Sequence, residues 1–217
     1  MAKSRPHVII SAAMSIDGKI ATRTGNSKLS SKEDLLRVHK LRASVDAILV
    51  GKHTLMIDDP SLTVKLVNGK NPIRIILDSE GSIKSNSKII KTCRMIPTII
   101  AVSEKITQKN IIQLEKRGLE VIKCGQNKVD LKKLLQILRR KNIKNLLVEG
   151  GGLTNWSFIK DRLVDELIIT ITPYVLGGSS AISLVQGEGF DKISYAPLLI
   201  LKNISRIKNE LVLHYVV

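Results

Sequence analysis

Aromatic residues make up only 3% of the 217 positions. Trp156, Phe158, Tyr174, Phe190, Tyr195 and Tyr215 are too few and too scattered to form a platform on which nucleic-acid bases stack. Cysteine is nearly absent: Cys93 and Cys124 form no CxxC and have no histidine cluster nearby. That excludes a disulfide framework and a zinc site, and points to no metal and to a reducing, cytoplasmic setting. Long apolar runs are missing too. The stretch Val8–Met14 behind Lys3 and Arg5 superficially resembles a signal peptide, but it is short, and Asp17 and Lys19 follow at once. It reads as a first buried strand, and no segment approaches the ~20 apolar residues of a membrane span. Acids are the last scarcity, with 19 Asp and Glu against 35 Lys and Arg, a net charge of +16. The basic residues are scattered from Lys3 to Lys208 without a block. A surface that attracts a phosphorylated small molecule is expected, and not a nucleic-acid partner.

What is present is an aliphatic composition, 43% hydrophobic, in alternating segments. Strands are expected at His7–Met14, 46–50, Ile73–Leu77, Thr98–Val102 and Glu120–Lys123, then at 145–148, 164–172, 198–201 and 211–217. Helices fall between them. Ser30-Ser31-Lys32-Glu33 has the S-x-x-E form of a capping box before a helix to about Ala43. Asp130 opens another, with Leu131, Leu134, Leu135 and Leu138 on one face. The pattern implies an α/β fold with a mostly parallel central sheet, helices on both faces and antiparallel C-terminal strands. No repeat or low-complexity linker divides the chain, so a single domain over 1–217 is expected.

Three turns at strand ends carry small or polar residues that can face one crevice. The first is Ala12-Ala13-Met14-Ser15-Ile16-Asp17-Gly18-Lys19, and the second is Gly51-Lys52-His53-Thr54 with Asp58. The third is Leu147-Val148-Glu149-Gly150-Gly151-Gly152-Leu153-Thr154-Asn155. There an apolar strand ends in an acid and three glycines before a helix, whose first turn offers unpaired N–H groups to an anion. The spacing is not G-x-G-x-x-G. A phosphate grip and a tight strand-to-helix turn both fit it.

Taken together, these segments resemble the pyrimidine reductases of riboflavin biosynthesis, which share the dihydrofolate-reductase-like fold. The matching pieces are 14–22, Val38-His39-Lys40-Leu41-Arg42-Ala43, 46–51, Thr54, 58–65, Asn71-Pro72-Ile73-Arg74 and 147–156, in the family's order along nearly the whole chain. The likeness is to the stand-alone archaeal type, since the H-x-E and P-C-x-x-C signatures of a fused zinc deaminase are absent.

The resemblance implies reduction of a phosphorylated ribosylamino-pyrimidine to its ribitylamino form, with NADPH (or NADH) giving hydride to C1′ of the open sugar. It implies a cytoplasmic homodimer. It also implies cofactor contacts at Ala13, Thr54, Asp58, Ser79, Gly150, Gly151, Gly152, Leu153 and Thr154. Substrate contacts are implied at Ser27, Arg42, Leu62, Lys65 and Glu149, with Glu149 at the reacting sugar. The chemistry agrees: Arg42 offers a planar fork to phosphate oxygens, Lys65 a mobile charge, and Glu149 an acceptor for amino or hydroxyl groups. The chain departs from the family at Lys65, where Arg is common, and at Ser11, where bacterial members often carry Lys. The general acid is left unassigned, and His39 and His53 are not counted in the site. The rival readings are a reductase of another pterin or pyrimidine on the same fold, and a non-catalytic basic protein that binds RNA or anions.

Overall fold

Nine strands form one sheet, and its order explains where a ligand can enter. In chain order the elements begin with β1 (His7–Met14), β2 (Lys19–Ala21), α1 (Lys32–Ala43), β3 (Ala47–Gly51), α2 (Lys52–Asp58) and β4 (Ile73–Leu77). They continue with α3 (Lys88–Lys91), β5 (Thr98–Val102), α4 (Gln108–Lys116), β6 (Glu120–Lys123), α5 (Leu131–Arg140) and β7 (Asn145–Val148). Last come α6 (Gly152–Lys160), β8 (Glu166–Ile171), β9 (Ile182–Ser183), β10 (Ile200–Ile207) and β11 (Glu210–Val216). This computed structural model describes residues 4–217, so Lys3 lies outside the described residues. Among them no helix is long and apolar enough to cross a membrane.

The sheet order is β10-β11-β8-β1-β7-β3-β4-β5-β6. From β8 to β6 all neighbours are parallel, and β11 and β10 add an antiparallel edge. The chain leaves β1, winds outward through β3 to β6, returns as β7 between β1 and β3, then crosses to the other side of β1 as β8. That reversal opens a crevice beyond the C-terminal ends of β1, β7 and β3.

Every residue of β3 is buried, as a strand covered on both faces requires. Leu49 packs with Ile10, Leu134, Leu138 and Phe158 in one layer, while Ile48 and Val50 pack with Ile76, Ile100 and Leu114 in the other. Each such side chain stabilises the fold by roughly 1.5–3 kcal/mol. Helix α5 is built as its sequence suggests: Asp130 accepts from the Lys133 amide at 3.0 Å, and the four leucines are buried.

Two details differ from the sequence reading. The cap of α1 is Ser31, not Ser30: its hydroxyl accepts from the Asp34 amide, while the buried Glu210 carboxylate takes the Ser31 amide at 2.8 Å and its hydroxyl at 2.6 Å. Glu210 lies 179 residues away, so no local pattern could select between the two serines. Second, β10 runs from Ile200 to Ile207, well past the expected 198–201. It is the sheet's edge and is exposed on both faces, so alternating polarity never marked it.

Candidate active site

A cavity of about 360 Å³ occupies the crevice. Its wall takes Ser11 and Ala13 from β1, Val38 and Arg42 from α1, Gly51 from the end of β3, Thr54 and Asp58 from α2, and Gly151 to Thr154 from the start of α6. Glu149, Ser27 and Leu62 add to it, with Ile20, Ile182 and Gln186 along the roof, and His53, which the sequence reading did not count in the site, also lines it. All three strand-end stretches singled out in the sequence therefore reach the cavity, because the strands they terminate are neighbours, but the first does so through Ala12 and Ala13, and its turn residues 14–19 stay off the wall.

On the α6 side the backbone is open. Helices α1, α3, α4 and α5 each begin with a side chain that caps the first turn: Ser31, Ser87, Thr107 and Asp130. Helices α2 and α6, which begin on the cavity, have Gly51 and Gly151 as N-caps and no side-chain cap bond. The first turn of α6 thus presents its N–H groups and the positive end of its dipole to the space in front of it. The glycines also serve the fold. Gly150 (φ 61°) and Gly151 (φ 88°) lie in the left-handed region. A Cβ at Gly151 would stand 2.7 Å from the Thr54 hydroxyl, and one at Gly152 would stand 2.5 Å from the Ser183 carbonyl. The Thr54 hydroxyl donates to the Gly150 carbonyl at 2.9 Å, locking the two turns together. The turn and the anion cradle are the same object.

On the α1 side the charges are already paired. Arg42 Nε and Nη2 each donate to Glu149 at 2.7 Å, and Nη1 donates to the Thr63 carbonyl at 3.2 Å. The side chains are only 16% and 14% exposed. Burial pulls against the guanidinium's charge, yet the Glu149 carboxylate outweighs it and holds the Arg42 pKa above its ordinary value. The sequence reading gave Arg42 an open fork; the structure closes that fork on Glu149, leaving one hydrogen on each of Nη1 and Nη2.

The segment behind this pair is fixed from three directions. The Lys65 amide donates to His39 Nδ1 at 2.9 Å, and the Val64 amide to Asn71 Oδ1 at 2.8 Å. Burial, helped by Arg42, lowers the His39 pKa, in keeping with a neutral acceptor ring. From below, the fully buried Arg74 reaches the Ser61, Ile89 and Ile96 carbonyls and the Thr92 and Thr98 hydroxyls. Its pKa is pulled down to about 10 by burial. Leu62, at φ 49° and 1% exposed, is held against the cavity by these ties.

At the mouth, the Ser27 hydroxyl donates to Asp58 at 2.9 Å. Desolvation raises the Asp58 pKa, and the Ser27 bond offsets only part of it.

Three sequence-derived residues stand outside the wall. Lys65 is exposed, and only its amide is tied in. Ser79 sits beyond β4, one strand further out, where its carbonyl accepts from the Ser103 amide and hydroxyl. Gly150 lies beneath the turn, packed on Asn155. The sequence reading missed Ile182 and Gln186, which come from a long irregular segment with no motif, and Arg74, whose burial cannot be read from its type. Among the described residues no group of His, Cys, Asp or Glu is arranged to hold a metal.

A parallel sheet whose strand ends converge on a glycine-lined cavity, with two helix starts that lack a side-chain cap and one largely buried ion pair, defines an α/β enzyme site for a small anionic ligand. The chain belongs to the RibD C-terminal domain family, whose model matches residues 6–213. It is 42% identical over 216 residues to the 2,5-diamino-6-ribosylamino-4(3H)-pyrimidinone 5′-phosphate reductase of Methanothermobacter thermautotrophicus, covering 98% of this chain and 99% of that protein. A riboflavin biosynthesis reductase of Saccharomyces cerevisiae superposes with a TM-score of 0.75 at 25% identity, covering all of this chain and 91% of that one. A RibD structure from Acinetobacter baumannii superposes at 0.86 with 24% identity, and the chain spans 59% of its length. The fold is dihydrofolate-reductase-like, as expected from the sequence.

Proposed function

We propose that the protein is the reductase that converts the ribosylamino side chain of 2,5-diamino-6-ribosylamino-4(3H)-pyrimidinone 5′-phosphate to the ribitylamino form, using NADPH. The observation that carries this reading is the single cavity that joins the bare N-terminus of α6 to the Arg42–Glu149 pair.

The glycine cradle fits a dinucleotide, because the first turn of α6 has no side-chain cap and opens on the cavity, so its backbone amides are available to a pyrophosphate. When bound, the nicotinamide supplies the hydride that goes to C1′ of the open-chain sugar. The amides of Gly151 to Thr154 hold the pyrophosphate, and Ala13, Thr54 and Asp58 shape the wall beside it. Ser79 belongs to the cofactor's outer reach, and Gly150 supports the cradle from below. Arg42 fixes Glu149 as an acceptor for the sugar hydroxyls or the amino-pyrimidine, so Glu149 is the residue placed at the reacting sugar. The spare hydrogens of Arg42 and the mobile charge of Lys65 receive the 5′-phosphate, with Ser27 and Leu62 on the substrate side. Its strongly basic surface favours the more highly phosphorylated NADPH over NADH.

The reading further takes 1–217 as one reductase domain in the cytoplasm. It acts as a homodimer through the exposed edge at β10, where Ile200 and Ile204 leave apolar surface open.

The decisive assay is oxidation of NADPH, followed by its absorbance, with the ribosylamino-pyrimidine phosphate present and absent. Oxidation that depends on this substrate is expected. Turnover of dihydrofolate instead would move the protein to the pterin reading, and salt-dependent RNA binding without nucleotide binding would remove it from enzymes altogether.

A further inference from the structure

The turn after β1 contains an acid, Asp17, that is exposed and absent from the cavity wall. Its carboxylate nevertheless makes three hydrogen bonds. It accepts from the Ser15 hydroxyl at 2.7 Å, from the Leu176 amide at 3.0 Å and from the Gly177 amide at 2.7 Å. These bonds hold its pKa down to about 2, with the Ser15 hydroxyl contributing most.

Leu176 and Gly177 begin the long segment that leaves β8 and ends at the first turn of α6. The segment is tied down along its length. The Ile16 amide donates to the Tyr174 carbonyl at 2.8 Å, the Leu184 amide to the Gly18 carbonyl at 3.0 Å, and the Gln186 amide to the Gly152 carbonyl at 3.0 Å. Asn155 Nδ2 donates to the Leu184 carbonyl at 2.8 Å. Between these ties, Ile182 and Gln186 line the cavity roof. Among the described residues the roof's regular structure is the short pairing of β2 with β9, supplemented by Lys19 Nζ donating to the Ser183 hydroxyl at 3.0 Å and by Leu184 packing on the core.

We infer that Asp17 is a positioning residue for the cofactor half of the cavity: its carboxylate anchors the 174–186 strap to the exit of β1 and so sets Ile182 and Gln186 over the start of α6. The inference rests on the reading of the cavity as a nucleotide site, and it assigns Asp17 no contact with any ligand. Ionised Asp17 can accept from both backbone amides at once. An asparagine there offers one acceptor oxygen, and an alanine none. A graded series follows.

Amide hydrogen exchange and NADPH titration on Asp17→Asn and Asp17→Ala test it. In Asp17→Ala the Leu184 and Gln186 amides should exchange faster, with those of Leu49 and Ile76 in the core strands unchanged, and Asp17→Asn should fall between. NADPH affinity should drop about tenfold in the alanine variant, with KM for the nucleotide rising more than kcat falls. Wild-type exchange rates at Leu184 and Gln186 in Asp17→Ala would overturn the inference. Failure of the wild-type protein to bind NADPH would overturn the nucleotide reading instead, and the exchange rates would still decide whether Asp17 holds the strap.

Discussion

The two sides of the cavity treat charge in opposite ways. On the α6 side, Gly151 leaves a helix start uncapped, while four other helices spend a serine, threonine or aspartate on that task. On the α1 side, Arg42 and Glu149 each take up the other's charge before any ligand arrives. A bare helix terminus is a site waiting for a negative ligand, and with glycine as its cap it costs the protein only about a few tenths of a kcal/mol. A closed ion pair is a rigid reference: it holds two side chains in one geometry and leaves only spare hydrogens and lone pairs for recognition. The first arrangement suits a pyrophosphate that brings its own charge. The second suits an amino-pyrimidine and sugar that must be placed accurately.

If the two halves are separable, a change on one side should leave the other's ligand alone. The largest effect is expected from Arg42→Ala, which strands Glu149 in a mostly buried position. Stability should fall on the order of 3 kcal/mol. Measured by substrate kinetics, kcat/KM should drop about a hundredfold or more, with nucleotide affinity held. A parallel loss of nucleotide binding would merge the halves.

The next effect in size comes from Leu153→Asp. Leu153 is 55% exposed in the first turn of α6. An acid there interacts favourably with the helix dipole, adding about 0.3–1 kcal/mol to stability. It should also repel an anion at the same terminus, weakening NADPH by about tenfold or more in a titration. Stability and binding moving in opposite directions is a signature that simple damage to the fold does not give. Gly151→Val is a poorer probe, because positive φ and the nearby Thr54 hydroxyl make it destabilising on their own.

The smallest effects concern pH, and they compare the cavity mouth with the far end of the sheet. At that far end Glu166 lies between His7 at 2.9 Å and His214 at 2.6 Å, tying β1, β8 and β11 together. Burial works against its charge, but the two imidazoles win and lower its pKa. Its stabilisation is therefore present above the ordinary glutamate value and is lost as pH falls through the lowered one. Asp58 has the opposite sign. Its raised pKa stabilises the fold below the ordinary aspartate value, and that contribution is lost as pH rises through the raised one. Acid denaturation curves should show Glu166→Gln flattening the acid limb and Asp58→Asn steepening it. The Asp58 effect should be roughly a few tenths of a kcal/mol, given solvent screening at the mouth.

Much of this was legible in the sequence, for reasons that are local. The strands His7–Met14, Ile73–Leu77, Thr98–Val102 and Glu120–Lys123 coincide with their expected bounds, because apolar runs between turn residues have little alternative in a doubly covered sheet. The convergence of Ala13, Thr54 and the triple glycine follows from strand ends, which are local features arranged by topology. What stayed hidden depends on long-range pairing. Arg42 and Glu149 are 107 residues apart, and nothing in either segment announces that the fork closes on the acid. Arg74 has the composition of a surface residue but is fully buried, satisfied by carbonyls and hydroxyls from several loops. The 174–186 strap carries no periodicity at all, so its contribution of Ile182 and Gln186 to the cavity emerges only in three dimensions.

The central claim is that one cavity holds the nucleotide on its α6 side and the substrate on its α1 side. It is tested most directly by titrating NADPH into Leu153→Asp and Arg42→Ala side by side, each checked for folding. The account predicts that Arg42→Ala keeps wild-type nucleotide affinity while Leu153→Asp loses at least about tenfold. Equal losses in the two variants, or no loss in Leu153→Asp, would contradict it.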